Sequence, residues 1–175
     1  FVLTAAKKDG EVAAATVNWV TQVSFEPPLV AVGVKTDSHG HALIKDTKAF
    51  ALNVLGKGQQ ALAFTFFKPA EKKGDTISGE PFRAGTTGAP ILANAPAFVE
   101  CTLEATVEIG DHSVFVGKVV EAGVAKPPEG RADPQASLDH PAELVGHDVV
   151  ELACRPGGED HAGHQVLGRV IQVPG

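Results

Sequence analysis

The sequence predicts a mainly β protein: a closed or nearly closed antiparallel barrel with a few short helices covering one end. Three observations carry this expectation. Residues 98–109 alternate between Val99, Cys101, Leu103, Ala105, Val107 and Ile109 on one side and Glu100, Thr102, Glu104, Thr106 and Glu108 on the other, the period-two pattern of a half-buried strand. Turn signals separate apolar runs at Asp9-Gly10 and at Gly110-Asp-His-Ser113. Only two short stretches have helical spacing, while 19 glycines and 12 prolines are spread along the chain.

In chain order, residues 2–6 and 12–18 read as strands joined by the turn Lys7-Lys-Asp-Gly10. Residues 29–34 form a continuous apolar run, a buried strand, and Pro27 and Pro28 hold the approach to it extended. Residues 38–47 read as a helix capped by Ser38, with Ala42, Leu43 and Ile44 supplying apolar contact. A strand follows at 50–55. Leu62, Ala63 and Phe66 then repeat at helical spacing within residues 59–67, until Pro69 stops them. Residues 70–95 lack periodicity and are expected to cross the surface as a long loop. The strand at 98–109 pairs with 114–122 as a long hairpin. Residues 125–141 read as loop, and strands return at 149–154 and 166–173. The 175 residues are taken as one domain.

Composition excludes several classes. A formal net charge of -6 with no lysine or arginine run argues against a nucleic-acid surface, since phosphate contacts need clustered cations. No apolar run approaches the roughly 20 residues that span a bilayer, and the N-terminus lacks a signal-peptide pattern, so a soluble cytoplasmic protein without membrane contact is expected. Cys101 and Cys154 are too few for a disulfide framework and suit a reduced setting, although a single bridge between them fits the sequence as well. Because the chain opens at Phe1, further natural residues are expected before it.

The segment from Thr16 to Val34 has the pattern of a ligand-holding edge. It is polar, carries the single tryptophan, Trp19, and runs through Pro27-Pro28 into an apolar strand. Together with Ser38-His-Gly-His41, Phe50-Ala-Leu-Asn-Val-Leu55, Gly88-Ala-Pro-Ile-Leu92, Glu100-Cys101 and Gly110-Asp-His112 with Val116-Gly117, the run Asn18-Trp-Val-Thr-Gln-Val-Ser24-Phe-Glu-Pro-Pro28 resembles the flavin reductase-like, FMN-binding split-barrel family. The resemblance covers residues 1 to 124 and weakens after Ala125.

The resemblance implies a split-barrel homodimer that binds FMN, in preference to FAD, near the subunit interface. It also implies hydride transfer from NADH or NADPH, with a monooxygenase or other acceptor as partner. An FMN-binding electron-transfer or storage module without efficient NAD(P)H oxidation is the alternative. On this resemblance Asn18, Trp19, Val20, Thr21, Gln22, Val23 and Ser24 would hold the isoalloxazine ring through backbone N–H groups, side-chain hydroxyls and the indole. Trp19 as a core-filling residue is the bland reading. Ser38, His39, Gly40 and His41 would receive the phosphate at the helix start, where relatives carry a threonine near Gly40 and this chain does not. Ser38 also reads simply as a cap. Asn53, Val54 and Leu55 would approach the flavin, and Gln59 its phosphate or ribityl end; a structural hydrogen bond explains Asn53 equally well. His112, read as a turn residue, would position the nicotinamide or protonate near the flavin, with Asp111 setting its tautomer.

Rival chemistries are weaker. His140, His147, Asp160, His161, His164 and Cys154 cluster late in the chain, but without paired zinc spacings, so no metal is expected. No Gly-x-Ser-x-Gly elbow and no Gly-x-Gly-x-x-Gly loop is present, which removes the common hydrolase and dinucleotide-fold readings.

Overall fold

The computed structural model describes residues 1–125 and the backbone of Val170–Ile171. The strands are β1 (Val2–Ala6), β2 (Val12–Thr16), β3 (Val20–Ser24), β4 (Leu29–Lys35), β5 (Ala49–Val54), β6 (Lys72–Lys73), β7 (Thr76–Ile77), β8 (Glu80–Ala84), β9 (Pro90–Leu92), β10 (Ala97–Glu108), β11 (His112–Val124) and β12 (Val170–Ile171). Helix α1 (His39–Thr47) lies between β4 and β5, and α2 (Gln60–Thr65) between β5 and β6.

The main sheet runs β2-β1-β5-β10-β11-β4-β3, with every neighbouring pair antiparallel, and β12 adds in parallel to β11. Ala13 of β2 and Val20 of β3, from opposite ends of this order, belong to one apolar cluster with Leu3, Val32, Phe50, Leu52, Val99 and Phe115. The sheet therefore curls around a common interior. Among the described residues it does not close, which corrects the closed form of the expectation: β2 and β3 remain edges. Leu43 and Ile44 of α1 enter the same interior, so a helix supplies apolar filling that a complete ring would draw from strands. At Gly117 a Cβ would lie 2.5 Å from Cζ of Phe50, so the tight curl needs glycine there.

Helix α1 begins as the sequence predicts. Ser38 is extended and its Oγ accepts the His41 N–H at 3.1 Å; Lys48, in the left-handed region, ends the helix. Helix α2 is shorter than the predicted 59–67. The Phe66 carbonyl accepts from Thr16 N–H at 3.1 Å and the Thr16 hydroxyl donates to the Ala63 carbonyl at 2.6 Å, so β2 takes up the groups that would extend the helix.

Residues 70–95 are not a surface loop. They build a second sheet, β6-β7-β8-β9, and bury Ile77, Leu92 and Ala95 against Val2, Val12, Leu62 and Phe66. Ala89 and Ile91 cover Ala51 and Phe98 on the outer side of the main sheet. With β6 and β7 of 2 residues each and β9 of 3, these strands are too short to display a period in sequence.

The strict alternation expected of β10 also fails. Its first half is buried on both faces, Glu100 included, whereas Val107 is 48% and Ile109 90% exposed. The small sheet causes the first departure: Glu100 accepts from Thr86 N–H at 2.9 Å, Thr87 N–H at 3.0 Å and the Thr87 hydroxyl at 2.6 Å. Register shifts at Glu100/Cys101 and Leu103/Ala105 bend the hairpin.

The loop expected at 125–141, the strand at 149–154, most of that at 166–173, and the His140, His147, Cys154, Asp160, His161 and His164 cluster lie outside the described residues. No helix among the described residues is long and apolar enough to cross a membrane.

Candidate functional site

Strand β3 pairs with β4 on one side, and among the described residues nothing pairs with its other side. The Gly33 N–H donates to the Trp19 carbonyl at 2.9 Å. Antiparallel pairs alternate, so Thr21 turns its main-chain groups to β4 while Val20 and Gln22 turn theirs to the free edge. The side chains of this run are less available. Gln22 Nε2 donates to the Ser24 carbonyl at 3.2 Å, and the Thr21 hydroxyl to the Gln22 carbonyl at 3.2 Å. Val20 points into the core, Val23 is exposed, and Asn18 precedes the strand at the surface.

Trp19 is 61% exposed, so it does not fill the core. Its indole lies on Gly33, where a Cβ would stand 3.0 Å from Trp19 Cε3, and its ring centroid is 4.6 Å from that of His112 at a tilt of 56°. His112 is the first residue of β11, opposite Lys35 of β4, rather than a turn residue. Its Nδ1 lies 3.1 Å from Asp111 Oδ1, which puts the proton on Nδ1 and leaves Nε2 for another partner. The hydrogen bond from His112 holds the Asp111 carboxyl below its usual range. The Asp111 carbonyl receives both the N–H and the hydroxyl of Thr36 at 3.0 Å, joining the hairpin tip to the approach of α1.

At the start of α1, Ser38 Oγ both accepts from His41 N–H and donates to the Lys35 carbonyl at 2.7 Å. The hydroxyl thus serves the cap, while the amides of His39 and Gly40 have no acceptor within the helix. His39 Nε2 meets Glu11 Oε1 at 2.7 Å, and the Glu11 carboxyl is held below its usual range by hydrogen bonds from Lys7 and then His39. His41 turns inward: it is 8% exposed and its Nε2 lies 2.8 Å from Ser113 Oγ.

The side chains of Asn53 and Gln59 are engaged within the protein. Asn53 is fully buried; its Nδ2 donates to the Val2 carbonyl and Thr4 Oγ1, both at 3.1 Å, and its Oδ1 accepts Leu92 N–H at 2.8 Å. It ties β5 to β1 and β9 and offers no side-chain group to a ligand. Gln59 accepts from Gly56 N–H at 2.7 Å and donates to the Asn94 carbonyl at 2.8 Å, bracing the entry to α2. Val54 lies in the main core and Leu55 packs against the second one. These four residues form a neighbourhood around β5, β9 and the approach to α2. Trp19, His112, Asp111, Thr36, Ser38 and His41 form another. Sequence reasoning passed over Gly33 and Ser113, although a glycine inside a strand signals close approach by another group.

An antiparallel barrel left open between β2 and β3 among the described residues is a split barrel. The chain belongs to the flavin reductase like domain family, whose model matches residues 1–141. It is 36% identical over 137 residues to the NADH-dependent flavin reductase StyB of Pseudomonas fluorescens, covering 78% of this chain and 75% of that one. Among solved structures, the NADH:FAD oxidoreductase SgcE6 of Streptomyces globisporus C-1027, in complex with NAD and FAD fragments, superposes with a TM-score of 0.64 at 32% identity, over 77% of this chain and 85% of that one. The styrene monooxygenase flavin reductase of Pseudomonas putida S12 superposes with a TM-score of 0.61 at 32% identity, over 70% and 76%. The chain spans 37% of the length of one curated relative from Rhizobium meliloti and 50% of a second, the stachydrine N-demethylase reductase subunit Stc3.

Proposed function

We propose that this chain is an NAD(P)H-dependent flavin reductase, and that the free edge of β3 with the Trp19–His112 shelf holds the flavin ring. One observation carries the reading: Val20 and Gln22 present main-chain groups at an edge that no other described strand pairs, beside an indole lying on the bare backbone of Gly33. These residues fit a flavin, because a ring with acceptors along one edge needs main-chain N–H donors and an apolar face more than it needs charged side chains. When bound, the flavin supplies a two-electron acceptor for the hydride of a reduced nicotinamide.

The chain's own residues then orient and exclude. Trp19 shields one side of the ring. His112, with Nδ1–H on Asp111, presents Nε2 as an acceptor or, once protonated, a donor beside it. The start of α1 supports a phosphate through the amides of His39 and Gly40 rather than through the Ser38 hydroxyl or the imidazoles. That single cradle favours FMN over FAD, with NADH or NADPH as co-substrate.

A second copy of the chain is the proposed structural partner. The cross-strand pairs Val107–Val114 and Ala105–Val116 stand on the outer side of the sheet, where the small sheet does not reach. A monooxygenase that consumes reduced flavin is the proposed functional partner, as the names of the relatives from Pseudomonas putida and Rhizobium meliloti suggest.

The test is anaerobic stopped-flow mixing of the protein and FMN, or FAD, with NADH and NADPH. Bleaching of the flavin's visible absorbance on a catalytic timescale is expected. Binding without bleaching by either donor would instead favour an electron-transfer module. Trp19→Ala should weaken flavin binding about tenfold, roughly 1.4 kcal/mol, without lowering the melting temperature. An unchanged affinity removes Trp19 from the site.

A further inference from the structure

We propose that His41 is a positioning residue that acts through Ser113 on His112, and not a phosphate ligand. The inference rests on the reading of His112 as the residue beside the reacting ring. His41 is 8% exposed and Ser113 is fully buried; among the described residues the one polar contact of the Ser113 hydroxyl is His41 Nε2, at 2.8 Å. The imidazole also packs on Phe115, with centroids 5.0 Å apart. Side chains alternate along β11, so Ser113 and Phe115 point inward while His112 points outward to Trp19.

His41 thus grips the inner side of the strand at the place where His112 occupies the outer side. Its own N–H is held by Ser38 Oγ at 3.1 Å, so the grip is anchored to the first turn of α1. The phosphate end and the reacting end of the proposed site are therefore joined through one buried side chain. Without it, the start of β11 is held by its pairing with Lys35 and by the two bonds from Thr36 to the Asp111 carbonyl. The charged groups around the pair are Glu108 of β10, 3.9 Å from His41 Nε2 and bridged to Lys45 of α1 at 2.7 Å, and, on the outer side, Asp111 and Lys35.

The experiment compares His41→Ala, Ser113→Ala and His41→Gln with the parent chain. Trp19 is the single tryptophan, and contact with an imidazolium quenches indole emission, so its fluorescence against pH reports His112 without any flavin. His112→Gln should abolish this titration. For His41→Ala and Ser113→Ala we expect flavin Kd within about twofold, KM for NADH raised about fivefold or more with kcat within about twofold, and a shifted fluorescence midpoint. His41→Gln, whose amide nitrogen reaches Ser113, should return both readouts toward the parent. A tenfold or so weaker flavin Kd in His41→Ala, with KM and midpoint unmoved, would restore the phosphate role and overturn the proposal. A midpoint identical in parent, His41→Ala and Ser113→Ala overturns it too. If the parent neither binds flavin nor oxidises NADH, the reductase reading falls while the fluorescence arm still decides the positioning role. Should His41→Ala fail to fold, Ser113→Ala removes the same bond with a smaller change and carries the test.

Discussion

Replacing Asn53 with alanine separates a structural knot from a ligand. The substitution removes two donors and one acceptor at a fully buried position. Thr4 Oγ1 retains its bond to the Pro90 carbonyl at 2.5 Å, and the Val2 carbonyl faces the main chain of residue 53 in the β1–β5 ladder, so the Leu92 N–H is the group chiefly affected. An orphaned buried group costs about 1–3 kcal/mol, and the small cavity adds to this, so the loss should be about 2–4 kcal/mol. Against a typical total of about 5–15 kcal/mol, the variant should fold but remain marginal. Urea denaturation followed by Trp19 fluorescence measures the difference, and flavin titration in buffer measures affinity in the folded fraction. The expected result is a large drop in the urea midpoint with flavin Kd unchanged. A loss under about 1 kcal/mol, or weakened flavin binding at unchanged stability, would refute the reasoning and return Asn53 to the site.

Two further perturbations probe the sheet. Gly117→Ala puts a Cβ about where Phe50 already lies and should cost about 1–3 kcal/mol by overpacking, read as a lower melting temperature; Phe50→Leu in the same chain should recover part of it. Glu121 stands opposite Glu100 and accepts from the Thr86 hydroxyl; burial, and then the Glu100 charge, push its carboxyl above the ordinary value of 4.5. A raised acid stabilises the fold fully below its unfolded pKa and loses that contribution as pH rises through the folded value. Glu121→Gln should therefore flatten the decline of urea midpoint from about pH 4 to about pH 8, and parallel curves for the two proteins would contradict the assignment.

Much of the architecture is legible because it follows from local rules. Asp9-Gly10 turns β1 into β2, Ser38 starts α1, and the apolar runs at 29–34 and 50–55 become strands with ends shifted by a residue or so. The small sheet is not legible, since β6, β7 and β9 have only 2, 2 and 3 residues and show no period. Nor is the burial of Glu100, which depends on amides of Thr86 and Thr87 brought across from another sheet. Among the site candidates, residue type alone did not tell which polar side chains the fold had already engaged. The polar side chains of His39, His41, Asn53 and Gln59 are all engaged within the protein.

By itself the sequence determined the β-rich class, the capped helix and the resemblance to flavin reductases, because these depend on short-range spacing and residue chemistry. Only the tertiary structure decided which groups are free to meet a ligand. Each polar side chain binds whichever partner the fold brings nearest, and strand order leaves the β3 edge uncovered among the described residues, a fact written in no stretch of contiguous sequence.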